Sequence, residues 1–349
     1  MLSRVPAKLL ASSLFVFFLF LSSTQAQTFT DAGFASELLT TLPAYKPVGL
    51  TFAPDGRMFI WQENGIVRII KNAVLLQTPF LDISSHVNSL NDRGLMALAL
   101  DPNFATNGYV YLYYPYEPNG TSNDPGAKTL RLTRMKADPA NPDVALANSE
   151  TVILGSSTTA PCAEGTDCIS SDSDSHIGGT LRFGLDGKLY LSTGDGASYA
   201  FEDPLALRSQ SLNSLNGKLL RINPDGTAPS DNPFYDGTNS VRSKIYAYGF
   251  RNPYRFAIHP TTGEVFVADV GWSAYEELNR GRGANFGWPC YEGDSPQVSY
   301  QAKFPATCGA IPASSVTKPI YFYGHSQGQA IIGGSVYNGT QFPAIYRGN

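Results

Sequence analysis

The sequence predicts an all-β fold, a β-propeller, from its composition, its repeated hairpins and the residues at its turns. The chain has 349 residues, 12% of them aromatic and 15% charged, with 33 glycines and 24 prolines. Glycine and proline are more frequent than average, which is typical of proteins rich in turns and strands and unlike helical bundles. The formal net charge of -4 argues against a nucleic-acid partner, because phosphate recognition needs a basic surface.

One hairpin pattern recurs four times, with copies beginning near residues 50, 97, 181 and 255. Each copy alternates apolar and polar residues and then turns on Gly, Asn or Asp. A single hairpin cannot bury its apolar face, whereas sheets arranged radially can, and this arrangement is a propeller. A fifth unit opens at Gly333, but the chain stops at Asn349. We therefore expect about four complete blades, a partial fifth and a propeller domain that is incomplete at its C-terminal end.

The first 26 residues predict a secretory signal peptide. Arg4 and Lys8 give a positively charged start, residues 9–21 are mostly apolar, and small residues precede the expected cleavage after Ala26. The apolar run is shorter than the about 20 residues that span a bilayer, and no second run of that length follows. We expect residues 27–349 to be the propeller domain, secreted or periplasmic, with no membrane span.

Export makes disulfide bonds the expected state of the four cysteines. Cys162 and Cys168 lie six residues apart, and Cys290 and Cys308 lie eighteen apart. We expect pairing within each of these couples, although the sequence alone permits three pairings. A zinc site is the alternative, but nearby histidine ligands are lacking.

Six segments of the chain resemble the glucose/sorbosone dehydrogenase family, soluble sugar dehydrogenases that use pyrroloquinoline quinone (PQQ). The segments are Gly94–Phe104, His176–Gly184, Ser192–Asp195, Gly217–Ile222, Gly249–Pro253 and Asn285–Pro289. The motifs Gly-Phe-Arg-Asn-Pro and Asn-Phe-Gly-Trp-Pro are more specific than the Pro-Asp-Gly turns, which many propellers share. The resemblance implies a six-bladed propeller that oxidises an aldose at C1 to the lactone. It also implies PQQ and calcium (Ca²⁺) as cofactors and an external electron acceptor.

His176 and Asp195 are the candidate catalytic pair. His176 precedes a predicted hairpin and Asp195 follows it, so folding about the turn at Asp186 and Gly187 brings the two ends together. A carboxylate beside an imidazole fixes its tautomer and stabilises its charged form. The alternative is that His176 caps a loop and Asp195 belongs to a turn. The resemblance implies that His176 takes the hydroxyl proton as hydride passes from the anomeric carbon to the quinone, while Asp195 orients the ring.

Arg251 and Asn252 follow a predicted strand at residues 245–250. The planar guanidinium suits a quinone carbonyl or a carboxylate, and it can stabilise the negative charge that develops on the quinone. The alternative for Arg251 is a surface salt bridge. The resemblance implies that Arg251 and Asn252 contact PQQ, with Arg251 also acting in catalysis. Asp92 is a third candidate for cofactor binding, at a position where the glucose enzyme has glutamine.

A loop in the fourth repeat is the candidate calcium region. Gly271 and Trp272 can turn two carbonyls outward, and Glu276 and Glu277 supply carboxylates nearby. Calcium prefers such a mixture of hard oxygens, although the spacing matches no EF-hand. The resemblance implies that the carbonyls of Gly271 and Trp272 hold the calcium that binds the cofactor. It also implies that Glu277 and the carbonyl of Phe286 hold a second, structural calcium.

Two other functions stay open on the sequence alone. One is a non-catalytic secreted binding module, favoured because the chain shows no counterpart of the late cationic residues that hold the PQQ carboxylates in the family. The presence of both His176 and Arg251 argues against it. The other is a calcium-dependent lactonase, also a six-bladed propeller, which would need its metal on the central axis with carboxylate and amide ligands.

Overall fold

The structure, a computed structural model, describes residues 36–43 and 45–348. The predicted signal peptide, residues 1–26, lies outside the described residues. The chain divides into two units, Met1–Thr41 and Leu42–Asn349. Residues 36–41 of the first unit contain no helix or strand. In the described part of the chain no helix has the length and apolar character needed to cross a membrane.

In its described residues, the second unit contains four antiparallel sheets of four or five strands, arranged as the blades of a β-propeller. Blade 1 contains β1 (Pro47–Phe52), β2 (Met58–Gln62), β3 (Ile66–Lys71), β4 (Val74–Leu75) and β5 (Leu81–Asp82). Blade 2 contains β6 (Ala97–Leu100), β7 (Tyr109–Tyr116), β8 (Lys128–Lys136), β9 (Thr151–Leu154) and β10 (Ile169–Ser171). Blade 3 contains β11 (Leu181–Phe183), β12 (Leu189–Thr193), β13 (Lys218–Ile222) and β14 (Ile245–Tyr248).

Blade 4 contains a long insertion between its third and fourth strands. Its strands are β15 (Arg255–Ile258), β16 (Val265–Asp269), β17 (Tyr275–Arg280) and β20 (Tyr321–Gly324). The insertion contains the hairpin of β18 (Tyr291–Glu292) and β19 (Ser295–Pro296), followed by the helices α2 (Val298–Lys303) and α3 (Pro305–Gly309). A further short helix, α1 (Phe104–Asn107), connects β6 to β7 in blade 2.

The four predicted hairpins are confirmed as the first two strands of the four blades. In blade 3, Leu181 pairs with Leu191 and Phe183 pairs with Leu189 across the turn. Gly187 in that turn has a φ of 69°, a left-handed conformation that glycine adopts without steric cost. Alternation along each strand then directs every second side chain to the same face, where apolar residues of adjacent blades meet.

Apolar side chains from adjacent blades form the core. One cluster joins blades 2 and 3 and includes Tyr111, Leu132, Leu191 and Leu220, and similar clusters join blades 1 and 2 and blades 3 and 4. Leu191 and Leu220 are fully buried, and full burial of a leucine side chain contributes about 1.5–3 kcal/mol. These contacts between blades fix the loops that join one blade to the next.

The first strands of the four blades line a channel of about 500 Å³. In an antiparallel hairpin, the residue before the first strand and the residue after the second lie at the same end of the sheet. In blade 3, His176 lies five residues before β11 and Asp195 lies two residues after β12. In blade 4, Arg251 lies four residues before β15 and Gly271 lies two residues after β16. The topology therefore collects the candidate site residues at one end of the blades.

A fourth core cluster lies in the insertion of blade 4 and contains Trp288, Tyr300 and the Cys290–Cys308 disulfide. The second disulfide joins Cys162 to Cys168, so both predicted pairings are confirmed. Residues 325–348 contain no strand, and the unit expected to open at Gly333 is therefore unpaired in the described part. A β-strand forms only where another strand hydrogen-bonds to it. Gly333 lies against Arg255, the first residue of β15, without forming such a pair.

Candidate active site

His176 and Asp195 form a buried pair at the end of blade 3. The imidazole Nδ1 lies 2.9 Å from Asp195 Oδ1, and the two residues are only 4% and 1% exposed. His176 has a φ of 53°, a left-handed conformation that is uncommon for residues other than glycine and recurs at functional sites. The neighbouring turn needs glycine, because a Cβ on Gly194 would lie 1.9 Å from the carbonyl oxygen of His176.

Asp195 is held by two further donors. Its Oδ1 also accepts from the backbone N–H of Ala197 at 2.9 Å, and its Oδ2 accepts from the indole N–H of Trp288 at 2.7 Å. Burial raises the pKa of Asp195, but the adjacent His176 and Arg251 outweigh burial and hold the pKa below its ordinary value. The carboxylate is therefore ionised and fixed in orientation.

This arrangement determines what the imidazole can do. In the neutral ring, the proton on Nδ1 donates to Asp195, and Nε2 is left as an acceptor. Nε2 makes no hydrogen bond to any described residue. An oriented imidazole with a free acceptor nitrogen has the geometry of a general base.

Arg251 is buried, at 6% exposure, and lies next to this pair. Its Nη1 donates to the carbonyls of Val270 and Gly271 at 3.1 and 2.7 Å, and its guanidinium carbon lies 5.5 Å from the ring centre of Trp288. The backbone N–H of Asp195 donates to the carbonyl of Arg251 at 2.8 Å. The surface salt bridge considered from the sequence is therefore not what Arg251 forms. Its Nε is buried without a hydrogen-bond partner, so a donor is left for an acceptor that the described residues do not supply.

Asn252 connects the loop that precedes blade 4 to the loop that precedes blade 3. Its Oδ1 accepts from the backbone N–H of Gly178 at 3.1 Å, two residues after His176. The carboxylate of Asp269 accepts from the backbone N–H groups of both Arg251 and Asn252, at 3.0 and 2.7 Å. Asp269 thereby fixes the backbone that carries the predicted cofactor-binding residues.

Asp92 differs from the other candidate site residues in its exposure to solvent. Its side chain is exposed, and its backbone N–H donates to the carbonyl of Asp174 at 3.2 Å. Asp174 is two residues before His176, so Asp92 approaches the site through the backbone. In the described part of the chain, Asp92 makes no hydrogen bond to His176 or Arg251.

The predicted calcium loop follows β16. Gly271 needs to be glycine there, because a Cβ would lie 1.7 Å from the carbonyl oxygen of Tyr275. One oxygen of Glu292, Oε1, accepts from the four consecutive backbone N–H groups of residues 272–275 at 2.7–3.3 Å. This carboxylate fixes the loop that presents the carbonyls of Gly271 and Trp272. The other oxygen of Glu292 is buried and has no hydrogen-bond partner.

Glu276 and Glu277 lie on opposite faces of β17, so their two carboxylates do not lie together. Successive side chains on a strand alternate in direction. Glu276 contacts His325 Nε2 at 3.0 Å and accepts from the backbone N–H of Ile331 at 2.8 Å. Glu277 accepts from Asn279 Nδ2 at 2.9 Å and from the backbone N–H of Gly293 at 2.5 Å. Burial, with the charges of nearby acidic residues, raises the pKa of Glu277 well above its ordinary value.

Side chains alone do not form a metal centre here. Across residues 36–43 and 45–348, no group of three or more His, Cys, Asp or Glu residues is placed to hold a metal ion. Phe286 is buried, and its ring packs against Phe250 at 4.9 Å between centres. A calcium ion in this region would therefore depend on backbone carbonyls together with single carboxylates.

Several supporting residues were not predicted from the sequence. One of them is Trp288, whose indole N–H donates to Asp195. Arg208 donates from Nε to the carbonyl of Asp195 at 2.7 Å, and the buried Lys218 donates to three carbonyls, including that of Arg208. The sequence did mark Trp288, because it lies in the Asn-Phe-Gly-Trp-Pro motif. A tryptophan that is buried there needs an acceptor for its indole N–H. Arg208 lies outside the matched motifs, so nothing in the sequence marked it.

Comparison with known proteins places this chain in a family. The chain is 27% identical to the aldose sugar dehydrogenase YliI of Escherichia coli, over 85% of this chain and 72% of that protein. It is 28% identical to quinoprotein glucose dehydrogenase B of Acinetobacter calcoaceticus, over 73% of this chain and 52% of that protein. It is also 28% identical to the human Hedgehog-interacting protein, over 62% of this chain and 31% of that protein. The matched part of the chain thus corresponds to about a third to almost three quarters of the length of these relatives.

A solved structure has the same fold over most of the chain. The putative oxidoreductase (glucose dehydrogenase) of Thermus thermophilus superposes with a TM-score of 0.63 at 27% identity, covering 85% of this chain and 75% of that one. The family profile described as glucose/sorbosone dehydrogenase matches residues 44–349. The chain belongs to the glucose/sorbosone dehydrogenase family.

Proposed function

We propose that the protein is an exported sugar dehydrogenase that uses PQQ and calcium to oxidise an aldose at C1 to the lactone. The observation that carries the proposal is the buried His176–Asp195 pair beside the buried Arg251. The names of two relatives, an aldose sugar dehydrogenase and a quinoprotein glucose dehydrogenase, support the same reaction.

His176 is the general base of the proposed reaction. Its Nε2 takes the proton of the C1 hydroxyl, and the positive charge that forms on the ring is stabilised by Asp195 at 2.9 Å. Because Asp195 is itself fixed by Ala197 and Trp288, the ring needs little reorganisation as the charge develops.

PQQ, when bound, accepts the hydride that leaves C1. The residues fit such a group, because the buried Nε of Arg251 has no partner and suits a quinone or carboxylate oxygen. Arg251 would bind that oxygen and stabilise negative charge on it, and Asn252 and Asp92 would contact the cofactor from the adjacent loops. Arg251 thus acts both in binding and in catalysis.

Calcium fits the same end of blade 4. Gly271 and Trp272 would offer their carbonyls, and Glu277 with the carbonyl of Phe286 would hold a second, structural ion. The unpartnered buried oxygen of Glu292 and the raised pKa of Glu277, caused first by burial and then by Asp269, show that these acidic oxygens outnumber the positive charge that Arg251 brings to this region. A hard divalent cation would supply the missing positive charge.

The proposed location follows from residues 1–26 as a cleaved signal peptide and from the two disulfides. Disulfides persist in oxidising compartments, so the domain of residues 27–349 would act in the periplasm or outside the cell. Its electrons would pass to an external acceptor.

A binding module without quinone chemistry is the second candidate. It is favoured by the similarity to the Hedgehog-interacting protein, whose name describes a binding partner and no reaction. The lactonase alternative has less support, because the described residues include no cluster of carboxylates placed to hold a metal.

Reconstitution tests the proposal. The chain is incubated with PQQ and calcium, and a panel of aldoses is screened with an artificial electron acceptor. We expect acceptor reduction that needs both PQQ and an aldose and that is lost in His176→Ala. Binding of PQQ without turnover on any aldose would favour the binding module and contradict the proposed reaction.

A further inference from the structure

We propose that Trp288 is a positioning residue that sets the base strength of His176 by donating its indole N–H to Asp195. The inference rests on the function proposed above, in which His176 is the base. It assigns a role to a side chain 93 residues away from Asp195 in sequence.

The contact has the geometry of a charge-assisted hydrogen bond. The indole Nε1 lies 2.7 Å from Asp195 Oδ2, while His176 and Ala197 share the other oxygen, Oδ1. Trp288 is 4% exposed, so water does not screen the interaction. Hydrogen bonds to charged groups in such surroundings are shorter and about twice as strong as neutral ones.

The rest of the insertion holds the indole in place. Its ring packs edge-on against Tyr300 and Trp272 at 5.2 and 6.2 Å between centres. The Cys290–Cys308 disulfide begins two residues later. The guanidinium of Arg251 lies 5.5 Å from the same ring. Trp288 therefore contacts both the partner of the proposed base and the proposed cofactor-binding arginine.

The direction in which Trp288 changes the base strength of His176 follows because both side chains bind the carboxylate of Asp195. A donor on Oδ2 stabilises the carboxylate and makes it a weaker acceptor for the proton that His176 shares on Oδ1. Removing the donor strengthens the carboxylate's hold on that proton and stabilises the charged imidazole. Trp288 therefore keeps the imidazole neutral, and able to accept a proton, at lower pH than it would be otherwise.

Other ionisable groups lie around His176 and Asp195, and a substitution of Trp288 leaves the side chains of these groups unaltered. They are Arg251, Arg208, Asp269 and Tyr300, with Asp172 bound to Arg208. None of them depends on the indole N–H for a hydrogen bond, so a change in titration on removing that N–H reports on Asp195.

The experiment is an NMR titration of the cofactor-free chain in Trp288→Phe, which keeps an aromatic ring and removes the N–H. A hydrogen bond to a charged group changes an equilibrium constant about ten- to hundredfold. Part of this change reaches the imidazole, so we expect the pH of half-protonation of His176 to rise by about half a unit or more. The rise should vanish when Trp288→Phe is made in an Asp195→Asn background, because the acceptor is then uncharged.

Trp61→Phe is the matched control. It removes an indole N–H that donates to the carbonyl of Met96 at 3.3 Å, far in sequence from Asp195, and it should leave the His176 titration unchanged. An unshifted titration in Trp288→Phe, or an equal shift in Trp61→Phe, would overturn the proposal.

A second measurement on the unaltered chain covers the case in which Trp288→Phe does not fold. The protein has three tryptophans, and the indole proton resonance of Trp288 should move with the same midpoint as the ring protons of His176. A Trp288 resonance that does not respond would overturn the inference. Since neither measurement needs PQQ or sugar, a chain that shows the coupling but oxidises no aldose would contradict the proposed function alone.

Discussion

Replacing Asp195 by asparagine gives the most informative single substitution, because three donors converge on its two oxygens. Oδ1 accepts from His176 Nδ1 and from the backbone of Ala197, and Oδ2 accepts from the indole N–H of Trp288. Asparagine offers one oxygen and one NH₂ group to the same three donors. Either orientation of the amide therefore leaves a conflict in a site that is 1% exposed.

The two orientations have different costs. If the amide oxygen faces His176 and Ala197, the NH₂ group opposes the indole N–H, and a buried donor without an acceptor costs about 1–3 kcal/mol of stability. If the oxygen faces Trp288, the NH₂ group opposes Nδ1 of His176, which must then act as an acceptor. The ring proton moves to Nε2, and the nitrogen that was to act as the base is lost.

Either orientation leaves one buried donor without an acceptor, the indole N–H in the first and the N–H of Ala197 in the second, so we expect stability to fall in both. Turnover should also fall in both, because the charged imidazole loses its carboxylate in the first orientation and the base nitrogen is protonated in the second. Loss of a general base lowers the rate about 10²–10⁴-fold, and this loss should be seen in acceptor reduction by the chain loaded with PQQ and calcium. The free energy of unfolding, measured with urea, should fall by about 1–3 kcal/mol. The bound fraction of PQQ should change little, because Asp195 is not expected to contact the cofactor.

Asp101→Asn is the matched control. The carboxylate of Asp101 also accepts from three donors, Asn103, Asn107 and Tyr111, at 2.9–3.5 Å. It lies in blade 2 and should lose similar stability without loss of turnover at equal PQQ occupancy. An Asp195→Asn enzyme with unaltered turnover would refute the role of Asp195, as would an Asp101→Asn enzyme that loses turnover equally.

The remaining predictions concern metal, cofactor, disulfide and pH. Calcium should raise the melting temperature by binding the folded state, and Glu277→Ala should remove most of this gain, whereas equal melting with calcium and with chelator would contradict the site. Arg251→Met should weaken PQQ binding as well as turnover, which a fluorescence titration of the apo chain checks, and unchanged affinity would exclude the contact. Replacing both Cys290 and Cys308 by serine opens a loop spanning 18 residues and should cost about 3 kcal/mol in urea unfolding, with a cost near zero counting against it. Because the pKa of Asp195 is lowered in the fold, its contribution to stability is full above about pH 4 and is lost as pH falls through the lowered value. Acid unfolding of the Asp195→Asn chain should accordingly be less steep than that of the unaltered chain, and equal steepness would contradict the assignment.

The hairpins and the contact between His176 and Asp195 could be predicted because both depend on local pattern. Alternation of apolar residues and the Asp186–Gly187 turn define the register of β11 and β12, and that register alone brings His176 and Asp195 to the same end of the blade. The disulfides were predictable for a similar reason, since each closes a short loop within an exported chain.

The supporting contacts could not be predicted because they join distant segments. Trp288 meets Asp195 only when the insertion of blade 4 packs beside blade 3. The Asn-Phe-Gly-Trp-Pro motif marks Trp288, but nothing local to either residue indicates that the two pair. Glu292 was missed for the same reason, although it accepts from the four backbone N–H groups of residues 272–275 in the predicted calcium loop. Glu276 was assigned to the calcium region from proximity in sequence, and its contact with His325, set by alternation along β17, was not predicted.

The role of His176 as the base is tested most directly by turnover of His176→Ala at equal PQQ occupancy. Both chains are loaded with PQQ and calcium, bound PQQ is quantified from its absorbance, and acceptor reduction is measured on the same aldose. The account predicts nearly unchanged PQQ binding with turnover lower by about 10²–10⁴-fold. Wild-type turnover in His176→Ala at full occupancy would contradict it and favour the binding module.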